Sequence, residues 1–352
     1  MAASNITTTS GLQGVVQKYL VPAWMDLKME EFRTPLVNSS LALQATIPNN
    51  NGQEAEFRKF DHFTPDGALF SETAEPGSSE TLQASVVNSP IEELSSFISL
   101  GHLLRSTDLI DITQKATKLI KTKAMRDAHI LNTIRFVNNT TITNFGLSRS
   151  HTAFKTTFAG GADSFADLTQ GNLHRMQDWK NAQSAMRNIL VPSVEDGLYI
   201  GMIDDAIQNQ LLDDDETNGG GRFNRVMERS PTQSQRDSVF GKAVLADFAG
   251  IRWVLHDDSY RTGLPEAGGL LATRVASGPV HVGHLFGMQA FGQVTLGGAS
   301  PLRPTFKVQD ITVTGIETTI AYRIPYQVIG IDPEWAINIV GTTNYSESVS
   351  DL

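Results

Sequence analysis

The sequence predicts a mixed α+β fold, and three observations carry that prediction. A helix-period apolar stripe covers residues 106–138, and a helix, a strand and a second helix follow one another at 172–212. The closing third alternates Thr, Ile, Tyr and Val in strand-like runs. No period of roughly 20–50 residues repeats, which excludes solenoids and propellers.

Composition bounds what such a chain can do. At 352 residues it can bury about three quarters of its unfolded surface, so a substantial core is expected. Hydrophobic residues make up 40% and charged residues 19%, and no apolar run approaches the roughly 20 residues of a membrane-spanning helix; no membrane association is expected. The net charge of -10 argues against a surface that grips nucleic acid all round, while contact over one face stays compatible with it. With no cysteine there is no disulfide framework, thiolate metal site or cysteine nucleophile, so packing or self-association must hold the fold. The start, Met1-Ala-Ala-Ser-Asn-Ile-Thr-Thr-Thr-Ser10, lacks the basic and apolar regions of a signal peptide, and folding in a cytoplasm is the expectation.

The first segment, 1–45, reads as an arm with one helix at 15–33. Its apolar residues, Trp24 and Phe32 among them, have no partner within so short a stretch, so the arm should pack on the rest of its subunit or on a neighbour. Residues 46–95 read as an extended hairpin. Phe57, Phe60 and Phe63 alternate with Glu54, Glu56, Arg58, Lys59 and Asp61, then the turn formers Thr64-Pro-Asp-Gly67 and Glu75-Pro-Gly-Ser-Ser79 precede a second extended run at 81–87. Trp24, Phe32, Phe57, Arg58, Phe60 and Phe63 are therefore candidate inter-subunit contacts.

A long helix follows at 106–138. Leu109, Ile112, Ala116, Leu119, Ile120, Ala124, Ala128, Leu131 and Ile134 recur at steps of three and four, with Ser106, Thr107 and Asp108 as N-cap candidates. At ~1.5 Å per residue it would be roughly 50 Å long and needs a broad surface to lie on. Its other face carries Lys115, Lys118, Lys121, Lys123 and Arg126. That face is either a solvated amphipathic surface or a contact for an acidic neighbour or nucleic acid.

A linker rich in Thr, Ser and Gly at 140–163 leads to a helix at 172–190, whose stripe is Leu173, Met176, Trp179, Ala182, Met186 and Ile189, stopped by Pro192. The strand at 198–203 ends at Asp204 or Asp205, either of which can cap a short helix to Leu212. Asp213-Asp-Asp-Glu216, Gly219-Gly-Gly221 and Pro231 make 213–238 a long exposed loop by composition. Strands are expected at 250–255, 280–286, 293–296, 305–313, 317–331 and 336–340.

Chemical motifs are weak. His281-Val-Gly-His284 has metal-ligand spacing on a helix, but its surroundings favour a strand, which sends residues i and i+3 to opposite faces. The 213–216 acids lack the alternating ligands of a calcium loop, Gly219-Gly-Gly-Arg222 lacks the Lys-Ser/Thr of a phosphate loop, and no Gly-x-Ser-x-Gly elbow occurs. No cofactor is expected. A catalytic site would have to be assembled from residues distant in sequence, with His151, His256, His281 or His284 beside a carboxylate.

Four stretches carry a resemblance to a known family: Asp196-Gly-Leu-Tyr-Ile-Gly-Met-Ile203, Phe248-Ala-Gly-Ile-Arg-Trp253, Leu285-Phe-Gly-Met-Gln-Ala-Phe-Gly292 and the closing strands to Val340. In their order after an arm, a hairpin and a long helix they resemble tailed-bacteriophage major capsid proteins of the Hong Kong 97-type (Johnson) fold. Within it they are most similar to the group of the phage N-four major capsid protein. Asp204-Asp205 stands where that group often has His-Pro, and Ala321-Tyr-Arg-Ile-Pro-Tyr326 where it often has a Lys-bearing aromatic motif. The resemblance implies an N-terminal arm at 1–45, an extended hairpin loop at 46–95, and a first peripheral part at 96–212 including the spine helix. It also implies an axial domain at 213–303, then closing peripheral strands and a tail at 304–352.

The implied function is non-enzymatic: self-assembly as hexamers and pentamers into an icosahedral head around double-stranded DNA. Expected partners are neighbouring subunits, a portal, scaffolding or decoration proteins and packaged DNA; the expected location is the virion, and the host cytoplasm during assembly. A nanocompartment shell of the same fold enclosing protein cargo, and a soluble hydrolase, are the alternatives.

Overall fold

A computed structural model describes residues 6–7, 41–48, 52, 54–60, 84–101, 112–137, 154–162, 168–169, 171–214, 220–227, 232–238, 240, 243–256, 280–297, 305–310 and 317–342. The expected arm helix with Trp24 and Phe32, the hairpin tip with Phe63, the 106–108 caps and His151 lie outside them. The elements are β1 (Ile6–Thr7), β2 (Ala42–Ile47), β3 (Glu54–Phe60), β4 (Ala84–Pro90), β5 (Glu92–Gly101), α1 (Ile112–Val137) and β6 (Lys155–Phe158). There follow α2 (Met176–Asn188), β7 (Tyr199–Ile203), α3 (Asp205–Leu212), α4 (Gly220–Met227), α5 (Gln233–Arg236), β8 (Val244–Phe248) and β9 (Ile251–Leu255). The chain continues through β10 (Val280–Phe286), β11 (Phe291–Leu296), β12 (Thr305–Asp310), β13 (Glu317–Gly330) and β14 (Ala336–Thr342).

Two mixed sheets and one ribbon result. The first sheet has the order β1-β5-β13-β11-β2, with β12 also on β13; the second runs β6-β14-β10-β7-β9-β8; β3 and β4 form a separate antiparallel hairpin. Strand β14 does not extend the first sheet as its position after β13 would suggest. Instead β10 and β14 pair antiparallel in the second sheet, and β11 and β13 pair antiparallel in the first. One two-stranded ribbon thus passes from sheet to sheet. The crossing is held by Gly287 N–H donating to Trp335 O at 2.9 Å and Ile331 N–H donating to Ala290 O at 3.1 Å. Sheet membership therefore runs across the segment boundaries expected at 212 and 303.

Helix α1 lies on the first sheet through small residues. Ala116, Ala124 and Ala128, with Ile120 and Leu131, are buried against β5 and β13, where alanine permits close approach. Polar bonds fix its register: Tyr322 Oη donates to Asp127 Oδ2 at 2.5 Å, and Asn132 Nδ2 donates to Tyr326 Oη at 2.8 Å. Its end reaches the seam between the sheets, where the Phe136 ring packs with Phe154, Phe286 and Phe291 at centroid distances of 4.9, 5.6 and 4.8 Å.

Strands β7, β9, β10 and β14 are buried on both faces, and the polar residues they carry, Arg252, His281, His284 and Asn338 among them, are buried with the apolar ones. On one face Trp179 of α2 sits directly over Gly283, where an added Cβ would come within 2.5 Å of the indole, and 4.8 Å from the Trp253 ring. Asp204 caps α3, its Oδ1 accepting from Ile207 N–H at 2.7 Å, as its position after the strand predicts.

The expected loop at 213–238 is corrected: it contains α4 and α5. Phe223 is fully buried, 5.1 Å from the Trp253 ring, and Val226 and Met227 pack on the same cluster. These three apolar residues at helical spacing outweigh the three glycines before them.

Candidate assembly surfaces

Alternation along β3 and β4 gives the hairpin two unlike faces. Phe57 and Val87 turn toward the body, while Glu54, Glu56, Arg58, Val86 and Asn88 turn away from it and are exposed. Phe57, expected to contact a neighbour, is instead a core residue of its own chain, packed with Ile47, Val294 and Ile329 and seated on Gly292. A Cβ at Gly292 would come within 2.5 Å of the ring. An apolar residue in an alternating strand has the same sequence signature whether it faces its own sheet or another subunit, and Gly292 supplied the socket that decided it. Arg58 is exposed, its Nε donating to Glu56 Oε1 at 2.6 Å, beside Val86 on the adjacent strand, which is 52% exposed. Phe60 ends β3 opposite Ala84.

Three other surfaces were not singled out by sequence. The face of the first sheet opposite α1 is open around Phe97, which is 59% exposed and shares a row with Ala321 and Lys307. Arg323 and Glu93 form an exposed ion pair there. Strand β12 pairs with β13 along one edge and leaves Val308 exposed. At the end of α2, Leu190 is 74% exposed with φ 58, a left-handed cap position that usually holds glycine. Alternation predicts the strands but not which of their faces a helix will cover.

Of the five residues of the expected basic face on α1, the described side chains are those of Lys121 and Lys123, both exposed. Lys123 Nζ donates to Ser96 Oγ of β5 at 2.8 Å, so this lysine leans onto its own sheet.

The histidines are structural in placement. His281 and His284 do point to opposite faces of β10. His281 Nδ1–H donates to Asp204 Oδ2 at 2.7 Å, and both residues are 1% exposed. Since Asp204 also caps α3, this pair ties that helix to β10. Asn338 Nδ2 donates to Phe136 O, so its Oδ1 is left to accept from His284 Nδ1–H at 2.8 Å. Burial pushes the His284 imidazole down to about 3, partly offset by that bond. Burial likewise lowers His174, whose Nε2–H donates to His281 O, to about 4. His256 is buried, its Nδ1 lying 3.5 Å from His129 Nε2 of α1. Among the described residues no group of three or more His, Asp or Glu is suited to hold a metal ion, and no helix is long and apolar enough to cross a membrane.

The motif at 248–253 is also architectural. Ala249 and Gly250 both have positive φ, making a tight hairpin turn between β8 and β9. Arg252 is 1% exposed and bonds Asp247 at 2.9 Å, Glu195 at 2.5 Å, Asp196 at 3.0 Å and Ser234 Oγ at 2.7 Å. It fastens α5, β8 and the turn before β7 to one another.

No family model matches the sequence, and no curated protein sequence is similar to it. Its fold, however, is that of several solved structures over nearly the whole chain. The capsid of Ralstonia phage GP4 aligns with a TM-score of 0.63 at 14% identity, covering 94% of this chain and 96% of that one. The capsid asymmetric unit of cyanophage Pam1 gives 0.58 at 13% identity, covering 98% and 100%. The acid-stable capsid of Helicobacter pylori bacteriophage KHP30 gives 0.58 at 9% identity, covering 97% and 98%. The likeness covers nearly the whole of each chain, and this chain has the fold of bacteriophage capsid proteins.

Proposed function

We propose that this chain is a phage major capsid protein of the Hong Kong 97 type, assembling as hexamers and pentamers into an icosahedral head around double-stranded DNA. The observation that carries the reading is the end-to-end fold match to capsid subunits, with complete coverage of the cyanophage Pam1 chain. The hairpin supports it physically. A two-stranded ribbon is marginal by itself, and this one holds its body with one face while the other presents Glu54, Glu56, Arg58 and Val86 outward. Repeated modest contacts of this kind are how symmetric shells gather their stability. The placement of the histidines and Arg252 as fasteners fits a non-enzymatic subunit.

Within this reading the first sheet with α1 takes the place of the peripheral domain and the second sheet with α2 and α3 that of the axial domain. The N-four group is the subfamily that the sequence motifs favour. Trp24, Phe32 and Phe63 stand as inter-subunit candidates on their sequence, Arg58 on its exposure as well, and the basic side of α1 as a surface for packaged DNA. Portal, scaffolding and decoration proteins complete the expected partners, with the virion as destination and the host cytoplasm as the place of assembly.

Electron microscopy of the purified chain tests the proposal. Particles or capsomers are expected at high concentration; a monodisperse single chain under all conditions would count decisively against it. Deleting residues 65–77 should leave a folded, soluble chain by circular dichroism that no longer forms shells. Global unfolding of that deletion would mean that the segment is part of the core.

A further inference from the structure

The root of the hairpin touches both strands of the ribbon that joins the two sheets, close to where each one crosses. Phe57 rests on Gly292, the second residue of β11. Two residues further along the same face of β3, Lys59 Nζ pairs with Asp332 Oδ2, two residues beyond the end of β13. Asp332 is itself built into the crossing. Its Oδ1 accepts from Glu334 N–H at 3.0 Å, and its carbonyl accepts from Trp335 N–H at 3.2 Å. Trp335 O in turn receives the Gly287 N–H that closes the other strand.

The two attachments differ in kind. Phe57 is 4% exposed and held by shape. Lys59 is reached by water, with 26% of its side chain exposed, whereas its partner carboxylate is 4% exposed. A partly exposed ion pair on a long, flexible side chain is the weaker of the two and the one that salt or a competing charge can open.

We propose that the Lys59–Asp332 pair is a releasable latch, with Phe57 as its pivot, that sets the angle of the hairpin against the crossing between the sheets. With the pair formed, the hairpin lies down on the ribbon. With it broken, the ribbon beyond Phe57 swings free while the sheets stay intact. Any change in the angle between the sheets moves Asp332 and therefore pulls on the hairpin. The latch is a property of the single chain; only its consequence for shell geometry rests on the capsid reading.

Hydrogen exchange read by mass spectrometry on the full-length chain, kept dilute so that it does not assemble, is the test. In Lys59→Met the amides of 58–60 and 84–86, beyond the Phe57 pivot, should exchange at least about tenfold faster, while those of 54–57, 280–286 and 336–342 keep the parental rate. Lys59→Arg should restore protection, and added salt should speed hairpin exchange in the parent but not in Lys59→Met. Asp332→Asn, which retains an acceptor for Glu334 N–H, should behave like Lys59→Met and guards against a folding defect peculiar to one variant. Unchanged hairpin exchange in both variants, or equal acceleration through both sheets, would overturn the proposal. In assembly, Lys59→Met should give particles of mixed diameter. Uniform parental particles from a loosened hairpin would remove the role in shell geometry, and a parent that forms no particles would count against the capsid reading while leaving the exchange result intact.

Discussion

Acid should destabilise this fold, and the size of the effect follows from two imidazoles. His284 and His174 are both fully buried; burial lowers the first to about 3 and the second to about 4, against about 6.5 in an unfolded chain. Folding therefore favours the neutral ring. Above pH ~6.5 neither state binds the proton and the full stability is present. Below it the unfolded chain takes up protons that the folded chain refuses, so stability falls with pH until the folded values are reached. Each group contributes ~1.4 kcal/mol per pH unit in that window, so together they remove about 5 kcal/mol between pH ~6.5 and ~4.5. Asp178, raised mainly by burial, opposes part of this, because folded it takes up a proton more readily than unfolded. A loss of this size approaches the whole stability of an ordinary domain.

The assay is urea unfolding by tryptophan fluorescence at several pH values on the dilute chain. His284→Asn, whose amide can still donate to Asn338 Oδ1, should be less stable near neutrality but lose one proton's worth of slope. Parallel pH profiles for parent and variant, or a flat profile between pH ~6.5 and ~4.5, would refute the reasoning.

Two substitutions test the packing of the second sheet. Gly283→Ala should cost about 1–3 kcal/mol, because a Cβ there meets Trp179 at 2.5 Å and that ring is itself confined by Trp253. Gly171→Ala, with only Thr169 Oγ1 at 3.7 Å, should be near neutral, and equal thermal midpoints for the two would contradict the packing argument. Arg252→Met should destabilise by about 3–5 kcal/mol in the same measurement, since it removes the guanidinium shared by Asp247, Glu195 and Asp196. Arg252→Lys should recover little, as a single ammonium cannot reproduce that fork; full recovery would show that charge alone suffices.

Local structure was legible in this sequence wherever a period ran uninterrupted. The stripe Met176, Trp179, Ala182 and Met186, the cap at Asp204 and the strand and helix on either side of it are set by contacts a few residues apart and emerge where their spacing predicts, whereas the ends of that stripe do not: Leu173 precedes the helix and Ile189 is 44% exposed. Pairing was not legible. Helix α4 lay hidden because glycines and polar residues dominate its stretch, while its reason for folding, the Trp253 ring beside Phe223, stands thirty residues away. Phe57 reads as an interface residue in the sequence and is a core residue in the fold, because the deciding residue is Gly292, far along the chain. The change of sheet between β13 and β14 did leave a trace, Asp332-Pro-Glu334, which is a turn signal in an otherwise strand-forming run. Such a signal marks an interruption without saying where the next strand will pair.

Several of the polar groups that this fold buries sit on the strands that cross between the sheets. Asn132 with Tyr326, Asn338 with His284 and Asp204 with His281 all involve a strand that crosses between the sheets, and α1 or α3 packs against each of them. Apolar packing alone, of the kind Phe136 makes with its three phenylalanine neighbours, tolerates small rotations of one layer over another. Hydrogen bonds with defined donors and acceptors do not, because a rotation that breaks one leaves a buried polar atom without its partner. The angle between the sheets is therefore specified by the polar seam and stabilised by the aromatic one. Replacing a single seam pair by apolar residues of equal volume should preserve folding while broadening the range of inter-sheet angles that the chain can adopt.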